Sequence, residues 1–281
     1  MDNISVEDIV LLVFTSAKNL HERALSVQNT WLKNFPNGYL IGGYCKDKKL
    51  KMINIDNAGE DYLSATYKQY IGLKIMYEKF PNAKWFYITG CDAYVYSNNL
   101  CSMLSKYDSS KDYFIGGHCR YSNIDGTKVF FPAGGPGFCL SSSLVKKLIP
   151  KIDFILSDFS NYKVFKNGSC DVSLAYYLMK FFSIKVTVVP GFYHYPPYKY
   201  PGETWQSEDG SEITESVVSK PIAFHCIKIR EMYRLYSGRK LYKKNRFFTF
   251  VDFVERGFVR KLHTKYIINF IWRAIYRKHV C

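Results

Sequence analysis

Ile9-Val-Leu-Leu-Val-Phe14 is an unbroken apolar run, β-branched at positions 9, 10 and 13, and Thr15 and Ser16 follow at once. A run without polar alternation is expected of a strand covered on both faces, and the two hydroxyl residues suit the cap of a following helix. Working outward, residues 21–32 are predicted to be that helix. Residues 39–44 and 51–55 are predicted strands, the second ending at Asp56 and Asn57. Residues 61–80 read as a long helix, with Leu63, Tyr67, Tyr70 and Tyr77 at helical spacing and Pro81-Asn82 as its stop. A strand at 84–89, a helix at 97–107, extended pieces at 113–116 and 128–131 and a short helix at 144–149 follow. Val172, Ala175, Met179 and Phe182 form one stripe of a helix over 171–182, and 184–189 alternates as a strand up to Pro190-Gly191. Strands alternating with helices predict an α/β fold: an open, mostly parallel sheet with flanking helices.

The composition agrees with a folded chain. Of 281 residues, 47% are hydrophobic and 22% charged, which excludes a disordered or fibrous protein. The charge is unevenly placed. From Cys226 to Cys281 there are 15 Lys and Arg against Glu231, Asp252 and Glu255, while the first 225 residues carry 24 basic and 21 acidic side chains. A near-neutral body over 1–226 followed by a basic extension over 227–281 is the expected organisation. In 246–278 basic residues interleave with Phe247, Phe250, Phe253, Phe258, Phe270 and Trp272. That pattern suits amphipathic helices that either pack on the body or meet an anionic membrane surface. The eight cysteines are scattered without a CxxC, so neither a zinc site nor a disulfide framework is expected. The polar start and the six-residue apolar run fit neither a secretory leader nor a span. The expectation is a cytoplasmic protein, peripheral at a membrane surface if the basic extension is free.

In open α/β sheets ligands sit beyond the carboxyl ends of the strands, which directs attention to Thr15 and Ser16, Asp56, and residues 90–93. No GxGxxG follows the first strand, and GxxxxGK[ST] and GxSxG do not occur, so dinucleotide, P-loop and serine-hydrolase chemistry have no support. Asp92 leaves a hydrophobic strand, where a carboxylate either caps the next turn or holds a divalent cation against a diphosphate. The stretch Phe131-Pro-Ala-Gly-Gly-Pro-Gly-Phe-Cys-Leu-Ser141 is either a structural hairpin or a glycine loop that lets backbone approach a ligand. Asp171 is an N-cap or a general base. His225, after the apolar Pro221-Ile-Ala-Phe224, is a hydrogen-bonded core residue or a metal ligand.

Six segments, taken in order, resemble one glycosyltransferase family: that of Fringe, core 1 galactosyltransferase and the β-1,3-galactosyl- and N-acetylglucosaminyltransferases. Residues 13–31, with Thr15, Arg23 and Thr30-Trp31, look like its opening. Glu60-Asp-Tyr-Leu-Ser-Ala-Thr-Tyr-Lys68 resembles its Asp-x-Tyr-x-Asn-Leu-Thr-x-Lys helix, and residues 85–95 resemble its Trp-Phe-x-Lys-x-Asp-Asp-Asp-x-Tyr-Val segment. Gly134-Gly-Pro-Gly-Phe-Cys-Leu-Ser141 is similar to its Gly-Gly-x-Gly-Tyr-x-Leu-Ser loop. Cys170-Asp-Val-Ser-Leu-Ala175 resembles Glu/Asp-Asp-Val-x-x-Gly, and Phe224-His225 matches the late histidine. Gly90 and Cys91 depart from the family by replacing the first two acids of the triple, and Ala175 replaces a glycine.

The resemblance implies a glycosyltransferase fold of the A type that moves a sugar from a UDP-sugar donor to a hydroxyl of a glycan acceptor with inversion. It implies Mn²⁺ or Mg²⁺ held by Asp92 and His225, and Asp171 as the base. Thr15, Arg23, Asp56, Cys91, Gly134 and Gly135 would line the nucleotide-sugar site. Tyr195 and Trp205, in an aromatic stretch over 192–205, are candidates for the acceptor. The donor is open among UDP-N-acetylglucosamine, UDP-galactose and UDP-xylose, and a fucose-containing acceptor is favoured by the likeness to Fringe. The expectation is a version without the family's usual membrane anchor, of bacterial or large-virus kind. Two other classes compete: an inactive sugar- or UDP-binding relative, which the loss of two acids would explain, and a basic nucleic-acid-binding protein. No nucleic-acid partner is expected, because the basic residues follow the fold rather than forming a reading module.

Overall fold

A computed structural model describes residues 3–43, 45, 47–61, 63–159, 170–200 and 203–241. The basic stretch 246–278, and with it the expected membrane-surface helices, lies outside the described residues. Fourteen strands are described. In chain order they are β1 (Ile9–Phe14), β2 (Gly38–Gly42), β3 (Met52–Asn54), β4 (Trp85–Gly90), β5 (Tyr94–Val95), β6 (Phe114–Gly116) and β7 (Cys119–Ile124). These are followed by β8 (Thr127–Pro132), β9 (Phe138–Ser141), β10 (Val186–Val188), β11 (Phe192–Tyr193), β12 (Glu203–Gln206), β13 (Glu212–Glu215) and β14 (Ala223–Phe224). Seven α-helices accompany them: α1 (Leu25–Asn29), α2 (Ser64–Lys79), α3 (Ser97–Leu104), α4 (Ser142–Leu148), α5 (Ile152–Phe159), α6 (Cys170–Phe182) and α7 (Ile229–Tyr236).

The central sheet has seven strands in the order β10-β6-β9-β4-β1-β2-β3, and every pairing is parallel except the two made by β9. β1 lies inside it between β2 and β4. Its side chains alternate between two cores: Ile9, Leu11 and Val13 face one, Val10 and Leu12 the other. β4 divides the same way, with Trp85 and Tyr87 on one side and Phe86 and Ile88 on the other. Burial on both faces is why these strands read as continuous apolar runs, since each side chain leaves water whichever way it points. The second core is closed by α2, α4 and α6, which bring Tyr70, Leu144 and Tyr177 onto the sheet.

Two predicted elements differ in form. Residues 21–32 are a π-turn, Leu20–Ala24, running into the short α1 and then a 3₁₀ turn, Leu32–Asn34. The Ser26 and Thr30 hydroxyls bond back to the carbonyls of Glu22 and Ser26, both at 2.6 Å, a competition with the backbone ladder that bends helices. β9, inside the stretch read as a glycine loop entering an apolar segment, is a strand inserted antiparallel between β4 and β6. The first compact unit runs to Leu241, past the charge step at residue 226, because α7 sets Met232 and Leu235 into the first core. Among the described residues no helix is long and apolar enough to cross a membrane.

Candidate active site

Three loops meet at one edge of the sheet because of strand direction. β1 and β4 run in parallel and end together, Phe14 opposite Gly90, so Thr15 and Asp92 emerge at the same edge. β9 runs the other way and begins with Phe138 opposite Ile88, so the loop that feeds it, residues 133–137, lies at that edge too. Gly137 makes the turn into β9. Its φ is +92°, and a Cβ there would lie 2.5 Å from the Tyr87 hydroxyl, so only glycine fits. The Thr89 hydroxyl donates to the Gly135 carbonyl at 2.9 Å and anchors the loop to β4.

A second, three-stranded sheet, β11-β14-β5, brings in the late histidine. Phe224 pairs with Tyr94 and Tyr193, and the amide after Phe224 donates to the Tyr193 carbonyl at 2.9 Å. The amide of Ile227 donates to the Asp92 carbonyl, also at 2.9 Å. His225 Nε2 thereby stands 3.1 Å from Asp92 Oδ1. Arg23, from the π-turn, approaches the other carboxylate oxygen at 3.4 Å. Burial by itself would raise the Asp92 carboxyl, but the His225 hydrogen bond and the charges of His225 and Arg23 hold it below its usual value. Burial likewise opposes charge on His225, and Asp92 with Cys226 outweighs it, pushing the imidazole up to about 10.

Asp171 opens α6. Its two oxygens accept from the Gly134 and Val172 amides, both at 2.9 Å. Burial is the larger influence and raises its carboxyl above the ordinary value, with those amides and the Arg120 charge pulling the other way. The two neighbouring glycines join the two acids. A Cβ on Gly134 would sit 3.1 Å from the Asp171 carboxylate, and one on Gly135 would sit 2.3 Å from His225 Nδ1. The loop can pass between the Asp171 carboxylate and the His225 imidazole only without side chains.

The residues present suit a divalent cation. His225 Nδ1 faces the His194 carbonyl at 3.2 Å, an acceptor, so the proton on that nitrogen is fixed and Nε2 is the atom aimed at Asp92. One carboxylate oxygen, and the imidazole nitrogen once it has given up the proton it shares with Asp92, are donors that Mn²⁺ accepts. Among the described residues no group of three or more His, Cys, Asp or Glu could hold a metal, so the remaining positions would fall to the ligand and water. Cys91 adds no ligand. It is buried beside Thr15, and its thiol is pushed up to about 11 by that burial, which keeps it protonated.

The other sequence-derived candidates divide. Thr15 is buried at the edge, and its carbonyl accepts from Lys68 at 3.4 Å. Asp56 is exposed after β3, the outermost strand, two strands away from β1. Tyr195 touches the ring of His194 edge-on at 4.7 Å and so lies beside His225. Trp205 belongs to the opposite core, 9% exposed, while Tyr193 and Tyr200 are buried in the first core. The aromatic stretch is therefore mainly packing, with Tyr195 as its member near the site. His118, Arg120 and His194 were not singled out from sequence. His118 and His194 stack at 5.1 Å, Arg120 Nη2 meets His118 Nε2 at 3.1 Å, and the His194 ring lies 5.1 Å from that of His225. Only the placement of His194 in the aromatic stretch gave any hint of them.

Two acids and a glycine loop thus stand at the carboxyl edge of an α/β sheet, where such folds bind ligands, and the comparisons place the chain in a family. The Fringe-like family model matches residues 4–201, and the chain belongs to that family. It is 27% identical over 165 residues to the β-1,3-N-acetylglucosaminyltransferase lunatic fringe of Danio rerio, covering 53% of this chain and 44% of that protein. To radical fringe of Gallus gallus it is 26% identical over 166 residues, covering 53% and 45%. The chain thus spans less than half the length of these curated relatives. Among solved structures it resembles the galactosyltransferase LgtC, with a TM-score of 0.48 and 10% identity over 83% of this chain and 97% of that one.

Proposed function

We propose that this protein is a metal-dependent, inverting glycosyltransferase that moves a sugar from a UDP-sugar to a hydroxyl of a glycan acceptor. The observation that carries the proposal is the junction at Gly134-Gly135, where one loop touches both the Asp92–His225 pair and Asp171. Asp171 is the base. Its carboxylate, held by two amides and kept basic by burial, takes the proton from the acceptor hydroxyl as that oxygen attacks the anomeric carbon. A single displacement inverts that carbon, so no second carboxylate nucleophile is required. Mn²⁺ or Mg²⁺ held by Asp92 and His225 would supply charge compensation for the departing diphosphate. Arg23 and Thr15 flank the diphosphate side, and Tyr195 the acceptor side. The curated relatives are N-acetylglucosaminyltransferases, which makes UDP-N-acetylglucosamine the first donor to try, and the resemblance to Fringe makes fucosides a first acceptor series.

The test is UDP release across UDP-N-acetylglucosamine, UDP-galactose and UDP-xylose with Mn²⁺ and simple monosaccharide acceptors. Acceptor-stimulated release with one donor, abolished by chelation, is the expected result. An inactive UDP-binding relative is the second reading, favoured by Gly90 and Cys91 standing where the family has acids. Metal-dependent UDP binding without release on any acceptor would establish that reading instead.

A further inference from the structure

Arg120 is used by neither the proposed base nor the proposed cation site. It is exposed on β7, opposite Phe131 of β8, and β8 leads through Ala133 into Gly134 and the Asp171 carboxylate. The amide of Ala133 donates to the Gly117 carbonyl at 3.3 Å, which ties the start of the loop to the residue before His118. The Arg120 guanidinium is a donor only, so its 3.1 Å contact with His118 Nε2 requires that nitrogen to accept, and His118 is neutral. The contact orients the cation without neutralising it. No carboxylate lies within ion-pair distance of Arg120 among the described residues, although its charge is felt at Asp171 and His194. His118 itself is 1% exposed with φ of +49°, in the left-handed region where histidine, like Asn and Asp, is found more often than other side chains. A buried histidine thus holds an exposed cation on the strand paired with β8, which leads into the Gly134 loop.

That arrangement has an electrostatic consequence. A bare cation near Asp171 weakens the carboxylate as a base, and a neutral hydroxyl donor could orient a neutral sugar without that penalty. An anion seated on Arg120 would cancel the pull only when the proper substrate is present. We infer that Arg120 is a specificity-determining residue that binds an oxyanion of the acceptor, a carboxylate or a phosphate on the sugar being extended, and sets the neighbouring hydroxyl toward Asp171. The inference rests on the glycosyl-transfer reading of the same site.

The experiment compares matched acceptors on the full chain: a neutral hexoside, its hexuronate and its 6-phosphate, each with the donor that supports UDP release. The expected kcat/KM is about tenfold to a hundredfold higher for one of the charged acceptors, the scale of a charge-assisted hydrogen bond. Arg120→Gln should lose that preference, mostly in KM, while the neutral hexoside and UDP binding change by less than about threefold. Arg120→Lys, which keeps the charge without the fork, should retain part of it. The difference between hexuronate and 6-phosphate identifies which oxyanion is taken. Equal rates on charged and neutral acceptors, or an Arg120→Gln defect common to all three, would overturn the inference and leave glycosyl transfer standing. Loss of metal-dependent UDP binding in the unaltered protein would instead remove the underlying reading, and the inference with it.

Discussion

Asp92 and Asp171 stand at the same edge of one sheet, and their surroundings drive them in opposite directions. Asp92 is flanked by His225 and Arg23, which favour the ionised form. Asp171 forms no ion pair among the described residues, and burial raises it even though two amides stabilise its charge. Paired titratable groups whose environments push them apart mark a division of labour: the low one suits a permanent anion and the raised one a proton acceptor. The two corners also differ in construction. Asp92 is set by strand ends and the small β11-β14-β5 sheet, whereas Asp171 sits on the first turn of α6 and meets the rest through Gly134.

The largest expected effect tests the Asp171 corner alone. Asp171→Asn should lower kcat by roughly 10² or more while metal-dependent UDP binding stays near normal. Because the raised carboxyl must be ionised to accept a proton, kcat should fall on the acid side at a pH above the usual carboxylate range. That limb should vanish from the residual activity of the variant. Near-normal turnover in Asp171→Asn would dissolve the distinction between the two acids.

Next comes the Asp92 corner. Asp92→Ala and His225→Ala should each weaken UDP binding in Mn²⁺ by about tenfold or more, and by much less in chelator, as measured by calorimetry. Unchanged binding with unchanged metal dependence in both variants would break the assignment of the pair. The junction is probed by Gly135→Ala, whose methyl would enter the His225 ring. We expect destabilisation of about 1–3 kcal/mol together with weaker metal-dependent UDP binding, since backbone or ring must shift. A variant that melts and binds as the parent does would show that the loop does not couple the corners.

The smallest effect concerns the histidine behind Arg120. Burial, then the charges of His194 and Arg120, bring His118 down to about 3 from an ordinary 6.5. Its folded value lies below its unfolded value, so its contribution to stability is present above about pH 6.5 and is lost as pH falls toward 3. The melting temperature should therefore drop by several degrees, roughly 5 °C, between pH 7 and pH 4.5. The drop should be shallower in His118→Asn, since asparagine tolerates the left-handed backbone and carries no titrating ring. Parallel pH curves for the two proteins would remove His118 from the acid response.

The central strands were legible because burial on both faces leaves a mark that needs no partner to interpret: Ile9–Phe14 and Trp85–Gly90 are apolar throughout. Helix α2 was legible in extent, up to its stop before Pro81, but of the stripe Leu63, Tyr67, Tyr70 and Tyr77 only Tyr70 is buried, and Thr66, Leu73 and Met76 share its burial. β9 was not legible, because four buried residues after a glycine loop have the same pattern whether they pair with one strand or fill a slot between two. The hydroxyl back-bonding that turns 20–29 from a regular helix into a π-turn is likewise a choice between local competitors that spacing does not rank.

The same division holds at the site. Asp92, Asp171, Gly134, Gly135 and His225 could be named in sequence because each carries its own chemistry at the end of an element. By itself the sequence determined which groups were available: one acid after β4, one at the head of α6, two glycines and a late histidine. Only the tertiary structure decided that they meet, since Asp92 and His225 are brought to 3.1 Å by β14 pairing with β5, far apart in the chain. It also set their burial, placed Trp205 in the opposite core, and revealed Arg120 held by His118. Those outcomes depend on distance and desolvation, and neither is a property of residue order.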